Sequence, residues 1–493
     1  MTAVATEFET VIGLEVHVQL TTRSKMFCAC STDYAGAAPN THVCPVCLGL
    51  PGTLPVINEK AIEYIVMTGL ALNCEIPPFS KFDRKNYHYP DLMKGYQISQ
   101  YDLPICRNGW LEIQVEGQEP RRIGITRVHM EEDTARLLHR TDPVTGKGYS
   151  LIDVNRSGTP LVEIVSEPDL RSPAEAREYL VRLRQILRYI GVSDANMEEG
   201  NFRCDANISL RPRGSTTFGT KVEIKNMNSF RAVHDALAFE ERRQAETLLS
   251  GGTIEQETRG WVDDRGVTVT QRSKEEANDY RYFPEPDLPP LRLSREFVER
   301  VRAKLPELPA VRRERLLSLG LSDYEASTIT EARERADYYD ELVGRLQGDR
   351  QRAAKLAANW VLGEVLRWTN ATGREITELP VTPERLAELI SLVEAGTITQ
   401  AVAKEVFETM ASTGKTAAQV VEEGGLAQIS GADELLETVR KAIDANPKAV
   451  ADYRAGKEAA IKFLIGQVMR ETRGRANPAV VQDLLKSELG KGE

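Results

Sequence analysis

What this chain lacks narrows the field first. No window of its 493 residues is apolar for long enough to cross a bilayer. The start, Met1 to Thr10, carries acids without a cationic run leading into an apolar one, so a cytoplasmic protein is expected. There is no Gly-rich dinucleotide fingerprint. Gly414-Lys415-Thr416 has the end of a phosphate loop but not its beginning, because the leading glycine would fall at Thr409. Any phosphoryl chemistry would then rest on metal and side chains rather than on a glycine cradle. Cysteine is too scarce for a disulfide framework, at seven in so long a chain. The net charge of −10 argues against a surface that grips nucleic acid everywhere and leaves room for a local basic patch.

What is present is ordinary for a soluble globular chain, with 28% charged and 41% hydrophobic residues, and it excludes global disorder. The length suggests about three domains. From Val11 to Leu291 strands, short helices and Gly/Pro punctuation alternate; from Arg292 helical periodicity dominates. The prolines at 284, 286, 289 and 290 mark the change, and a weaker break lies at Gly396 to Ala401. The expected fold is α+β: a mixed domain over 1–291, then two helical domains over 292–398 and 399–493.

Four of the cysteines form two close pairs, Cys28 with Cys30 and Cys44 with Cys47, separated by a turn-rich loop. Two thiolate pairs suit a closed tetrahedral zinc site, which is structural because no position is left for substrate. Cys74, Cys106 and Cys204 read as small core residues.

The stretch V-I-G-L-E-V-H-V-Q-L, Val11 to Leu20, alternates. Ile12, Leu14, Val16, Val18 and Leu20 share one face of a strand, and Glu15, His17 and Gln19 the other. An acid and an imidazole on so apolar a strand need a partner. Other strands repeat the asymmetry. In R-C-D-A-N-I-S-L-R the polar face carries Arg203, Asp205 and Asn207; in K-V-E-I-K it carries Lys221, Glu223 and Lys225. L-V-E-I-V buries a single acid, Glu163, and R-V-H-M-E-E-D gathers Arg127, His129, Glu131, Glu132 and Asp133. This oxygen-rich set suits Mg²⁺ bridging carboxylates to a phosphate-bearing substrate, with Arg203, Lys221 and Lys225 to hold phosphate oxygens. A wetted sheet face of paired charges is the alternative, and it does not account for Glu163. Between Asp83 and Gln100, Tyr87, His88, Tyr89 and Tyr96 interleave with Arg84, Lys85 and Lys94. The composition suits stacking on bases beside phosphate, and equally a Tyr-rich turn packed on the sheet. Near the end, Lys448 to Arg475 holds seven Lys or Arg against three Asp or Glu, with Lys457, Lys462, Arg470, Arg473 and Arg475 as candidate phosphate contacts.

Taken in order, V-I-G-L-E-V-H-V-Q-L, K-F-D-R-K-N-Y-H-Y-P-D, Y-Q-I-S-Q, H-M-E-E-D, N-R-S-G-T-P-L-V-E-I-V-S-E-P-D, M-E-E-G-N-F-R-C-D-A-N-I-S-L-R-P, K-N-M-N-S-F and D-Y-R-Y-F-P-E-P-D-L-P-P-L resemble the B-subunit family of aspartyl/glutamyl-tRNA amidotransferases. The resemblance runs from Val11 to Leu291, and a similar helical tail extends it. It implies a ligase subunit in a heterotrimer with an amidase A subunit and a small C subunit. ATP phosphorylates the side-chain carboxylate of Glu or Asp mischarged on tRNA(Gln) or tRNA(Asn), and ammonia from the amidase displaces the phosphate. It implies a cradle domain built on a largely antiparallel sheet with a zinc loop in some members, followed by helical domains that engage tRNA. Carried over, the Mg²⁺ and catalytic set is Glu15, His17, Glu131, Glu132 and Glu163, with Asp205 and Glu223 as neighbours. The nucleotide contacts would be Lys85, Tyr87, Arg203, Asn207 and Lys225. Strand parity puts Glu131 with His129 and Glu132 opposite, without saying which acid binds metal. The rival reading is a non-catalytic, zinc-bearing RNA-binding adaptor. The related archaeal E subunit carries a large inserted domain for which there is no room here.

Overall fold

The computed structural model describes residues 7–273, 280–455 and 457–490. Residues 1–6 of the acidic start and Asp279, the first residue of the Asp279–Leu291 motif, lie outside them. The chain forms two compact units, one up to Leu308 and one from Pro309.

The first unit is built on an eight-stranded sheet: β1 (Phe8–Gln19), β2 (Cys106–Ile113), β3 (Arg121–Glu132), β4 (Pro160–Ser166), β5 (Phe202–Pro212), β6 (Val222–Lys225), β7 (Glu257–Val262) and β8 (Val267–Ser273). Their spatial order is β8-β7-β6-β5-β1-β4-β3-β2, and every pairing is antiparallel except β6 with β7. β1 is thus central. Its alternation is realised as written: Ile12, Leu14, Val16 and Val18 are buried at 1% exposure or less, while Glu15, His17 and Gln19 face the other way.

Three helices cover the apolar face: α1 (Glu59–Ala71), α2 (Pro173–Tyr189) and α3 (Phe230–Leu249). Each starts on a side-chain cap, where Asn58, Ser172 and Ser229 accept backbone N–H groups of the first turn, and Pro173 opens α2. Ile65, Leu180, Leu183, Val233 and Leu237 from them join Ile12, Val16, Phe202 and Ile208 in one core. The opposite face carries the polar residues and is partly roofed by a three-stranded sheet of Asp83–Asn86, Tyr96–Ser99 and Phe283–Pro284. The helix Arg295–Arg302, expected on the helical side of a boundary at 291, packs in the first unit, where Val301 joins the core.

The described part of the second unit is helical. Its last helices, Ala432–Ala445, Ala459–Glu471 and Pro478–Gly490, pack around their own core of Leu435, Val439, Leu464, Val468, Val481 and Leu485. No helix among the described residues is long and apolar enough to cross a membrane.

Candidate active site

Register builds the site across four strands. Arg203 of β5 lies opposite His17 of β1, His17 opposite Glu163 of β4, and Glu163 opposite His129 of β3. Directly paired residues share a face, so these side chains stand in one row on the polar side. Asp205 and Glu15 pair beside them, and Asn207 pairs with both Gly13 and Glu223.

Within the row, His17 Nε2 is 3.2 Å from Glu163 Oε2 and 4.0 Å from Glu131 Oε2. His129 Nε2 lies 3.5 Å from Glu163 Oε2 and 3.6 Å from Glu131 Oε1. One donor atom from each of His17, Glu131 and Glu163 lies within 4.8 Å of the others, close enough for a single ion to take all three. The surroundings are cationic and donating. Lys85 Nζ is 3.4 Å from Glu131 and Arg127 Nη2 is 3.9 Å from Glu163. Ser99 Oγ and Gln97 Nε2 donate to the two oxygens of Glu131 at 2.8 and 3.0 Å.

Those neighbours decide the charge state. Burial pushes both carboxyls up, but His129 and His17 beside Glu163, and Lys85 and His129 beside Glu131, outweigh it and hold both below the ordinary carboxylate value. Burial likewise opposes the charge on Lys85 and His17. The Glu131 carboxylate above all holds Lys85 up, and Glu163 does the same for His17. The two carboxyls and Lys85 are therefore held in their charged forms beside one another.

Glu132, offered as a metal ligand alongside Glu131, is placed elsewhere. Its side chain points to the other side of β3, where the Ile98 N–H donates to Oε1 at 3.0 Å and Lys94 pairs with it. Asp205 and Glu223 stand at the edge of the cluster, both paired with Lys225, at 2.5 and 3.5 Å. Asn207 Nδ2 donates to Glu15 Oε1 at 3.1 Å. Arg203 lines the cleft while donating to buried Asp133 at 3.1 Å.

A cleft of about 410 Å³ opens over Glu15, His17, Glu131 and Glu163, and a recess of about 240 Å³ adjoins it at Tyr87, Thr134 and Arg203. Aromatic rings form its wall: Tyr101 stacks on Tyr282 at 4.3 Å, and Lys85 lies over Tyr280 at 5.3 Å. Gln97, Ser99, Tyr280 and Tyr282 were not among the sequence-predicted site residues. Their only local signal is alternation of polar residues in Y-Q-I-S and Y-R-Y. His129 and Arg127 were visible in the acidic motif but assigned no role.

The four cysteines also come together. Sulfurs of Cys28, Cys30, Cys44 and Cys47 lie within 4.8 Å of one another, and the Cys44 N–H donates to Cys47 Sγ at 3.1 Å. The Cys28 thiol, donating to Cys47, draws the latter down to about 4 against the effect of burial, and the fully buried Lys25 adds its charge. A stabilised thiolate is the form that binds metal, so the cluster fits a structural zinc site. Cys74, Cys106 and Cys204 are buried core residues, as expected.

In the tail, Lys462, Arg470 and Arg473 are exposed. Lys457 pairs with Asp452 at 2.9 Å, and Arg475 donates to the carbonyls of Gly425 and Thr472, which ties it into the fold.

Convergent acids, imidazoles and cations in an aromatic-walled cleft mark the first unit as a catalytic domain. Residues 10–299 match the family described as the GatB/GatE catalytic domain and residues 337–489 the one described as the GatB domain, and the chain belongs to this family. It is 57% identical, over 493 residues covering 99% of this chain and 100% of the relative, to the aspartyl/glutamyl-tRNA(Asn/Gln) amidotransferase B subunit of Dehalococcoides mccartyi (strain CBDB1). The protein of that name from Thermomicrobium roseum is 59% identical over 484 residues, covering 98% of this chain and 99% of the relative.

Proposed function

We propose that this chain is the kinase and transamidase subunit of a tRNA-dependent amidotransferase acting on Glu-tRNA(Gln), Asp-tRNA(Asn) or both. The observation that carries the reading is the cluster of His17 with the buried acids Glu131 and Glu163, beside Lys85 and Arg127 at the floor of the cleft. The names of the full-length relatives supply the substrate class. The side-chain carboxylate oxygen of the mischarged amino acid attacks the γ-phosphorus of ATP, and ADP leaves. Ammonia then attacks the acyl carbon, and inorganic phosphate departs with the former carboxylate oxygen. His17, Glu131 and Glu163, with Glu15 adjacent, would hold Mg²⁺, which when bound neutralises phosphate oxygens. Lys85, Lys225 and Arg127 are positioned to offset charge on the transferring group, and the Tyr280 and Tyr282 wall to exclude water. Ammonia would come from an amidase A subunit held with a small C subunit, in the cytoplasm. Of the proposed domains, the two helical ones, beyond Leu308 and divided near 398, would engage tRNA.

The test uses the complex reconstituted with A and C subunits, with ammonium replacing glutamine. ATP hydrolysis should require mischarged tRNA and collapse on Glu15→Ala. A non-catalytic adaptor would keep both ATP turnover and amide formation.

Two further results are expected. Cys47→Ser should release about one zinc equivalent per chain and lower thermal stability, since a structural metal contributes folding free energy. Metal analysis beside a melting curve checks this, and a variant that keeps its zinc would refute the site. In the tail, Arg470→Ala combined with Arg473→Ala should weaken tRNA binding and reduce the slope of log K against log salt by about two, one per phosphate contact. An unchanged slope would place the tRNA elsewhere.

A further inference from the structure

The turn N-R-S-G-T, Asn155 to Thr159, packs against both the cysteine loop and the wall of the cleft, and its side chains reach in both directions. Asn155 grips the loop. Its Oδ1 accepts the His42 N–H and its Nδ2 donates to the Ala38 carbonyl, both at 2.8 Å and both in the stretch joining Cys30 to Cys44. The Gly158 carbonyl accepts the Met26 N–H at 2.7 Å, and a Cβ at Gly158 would meet Lys25 at 3.5 Å and Cys47 at 3.8 Å. Its φ of +83° also favours glycine. Arg156 points the other way, donating to the carbonyls of Thr134 and Ala135 at 3.0 and 3.1 Å, with its Nε 3.7 Å from Asp133. Two backbone bonds finish the strut: the Asp133 N–H donates to the Thr159 carbonyl at 2.8 Å, and the Gly158 N–H to the Asp133 carbonyl at 2.9 Å.

Asp133, where the strut ends, is 2% exposed. Its Oδ1 accepts from Arg203 Nη2 at 3.1 Å and from the Thr134 N–H at 2.9 Å, and its Oδ2 from Gln19 Nε2 at 2.6 Å. Gln19 brings a second path from the loop, since its Oε1 accepts the hydroxyl of Tyr34, also between Cys30 and Cys44, at 3.2 Å. Burial works against the charge on Asp133, but the Arg203 and Arg156 guanidiniums outweigh it and hold the carboxyl below its ordinary value. Arg203 keeps 37% of its side chain exposed and lines the recess with His17 and Lys85. We infer that Asp133 is a positioning residue: anchored to the cysteine loop through the Asn155–Thr159 turn and the Tyr34–Gln19 pair, it sets the direction in which Arg203 presents its charge to the phosphates of ATP. A guanidinium already held by a buried partner has less freedom to lose when it binds. The cysteine loop thus serves the chemistry from a distance, by stiffening the frame that aims a cation. This inference rests on the proposed phosphoryl transfer.

The test measures the Kd of Mg²⁺·ATP for the full complex, and kcat and KM for amidation with ammonium. Zinc content and melting temperature verify the fold of each variant. Arg203→Ala and Asp133→Asn should each weaken ATP binding about tenfold, the scale of one charge-assisted contact, with kcat changed less than about threefold. The double variant should be within about twofold of Arg203→Ala alone, because Asp133 acts through that guanidinium. Tyr34→Phe, which removes one hydroxyl and leaves the four sulfurs, should weaken ATP about threefold in the parent and no further in Arg203→Ala. Losses that multiply to about a hundredfold in the double variant would make Asp133 independent of Arg203 and overturn the inference. Parent affinity in Arg203→Ala, or in both Asp133→Asn and Tyr34→Phe, would overturn it too; the proposed function would stand if Glu163→Gln still abolished turnover. Should Glu163→Gln leave turnover unchanged, the proposed function fails and the inference with it. If Asp133→Asn does not assemble, Tyr34→Phe decides: a loss confined to chains that keep Arg203 supports the inference, and an equal loss without Arg203 overturns it.

Discussion

Glu163→Gln is expected to lower ATP turnover with mischarged tRNA by on the order of a thousandfold, the scale on which preorganised charge in a dry site acts. Of the two acids that both imidazoles reach, Glu163 is the closer to each, His17 at 3.2 Å and His129 at 3.5 Å. Glutamine keeps the shape and the strand pairing and removes the charge. The amide would leave His17 and His129 with Glu131 as their remaining carboxylate, and would remove one of the two acids of the three-residue set that could bind a cation. Because the side chain faces the cleft and not the helix-covered core, the melting temperature should move little. Turnover within tenfold of the parent would remove Glu163 from the catalytic set.

Phe202→Ala is expected to do the reverse, costing about 3–5 kcal/mol of stability through transfer and cavity terms. Phe202 is fully buried, and its ring meets Phe230 edge-on at 5.7 Å. It is the neighbour of Arg203 on β5, one residue away and on the other face. Urea denaturation measures the loss as a lower midpoint with unchanged slope. Stability within 1 kcal/mol of the parent, by the same scale, would show that the core does not depend on this ring.

That contrast between neighbours explains what was legible in the sequence. The face of each strand follows from alternation, so the division between Ile12, Leu14 and Val16 and Glu15 and His17 could be read directly, and the structure places them so. Glu163 stood out because an acid in an apolar strand needs partners. The distinction between Glu131 and Glu132 could not be made from β3 alone. It depends on the Tyr96–Ser99 strand, whose Ile98 N–H takes Glu132 while Ser99 and Gln97 take Glu131. Those partners are uncharged and more than thirty residues upstream, so nothing local announces them. Tyr280 and Tyr282 reach the cleft because Phe283–Pro284 pairs with Asp83–Asn86, a contact spanning most of the first unit. Arg475 read as a phosphate contact from its charge; its donation to the Gly425 carbonyl is a matter of how the tail folds back.

The central claim is that this chain's cleft passes phosphate to a carboxylate rather than to water. Mischarged tRNA carrying ¹⁸O in the side-chain carboxylate tests it most directly, in the complex supplied with ATP and ammonium. The account predicts one ¹⁸O in the inorganic phosphate released for every amide formed, and loss of both in Glu163→Gln. Amide formation that yields unlabelled phosphate would contradict it, because the carboxylate oxygen would then never have been bonded to phosphorus.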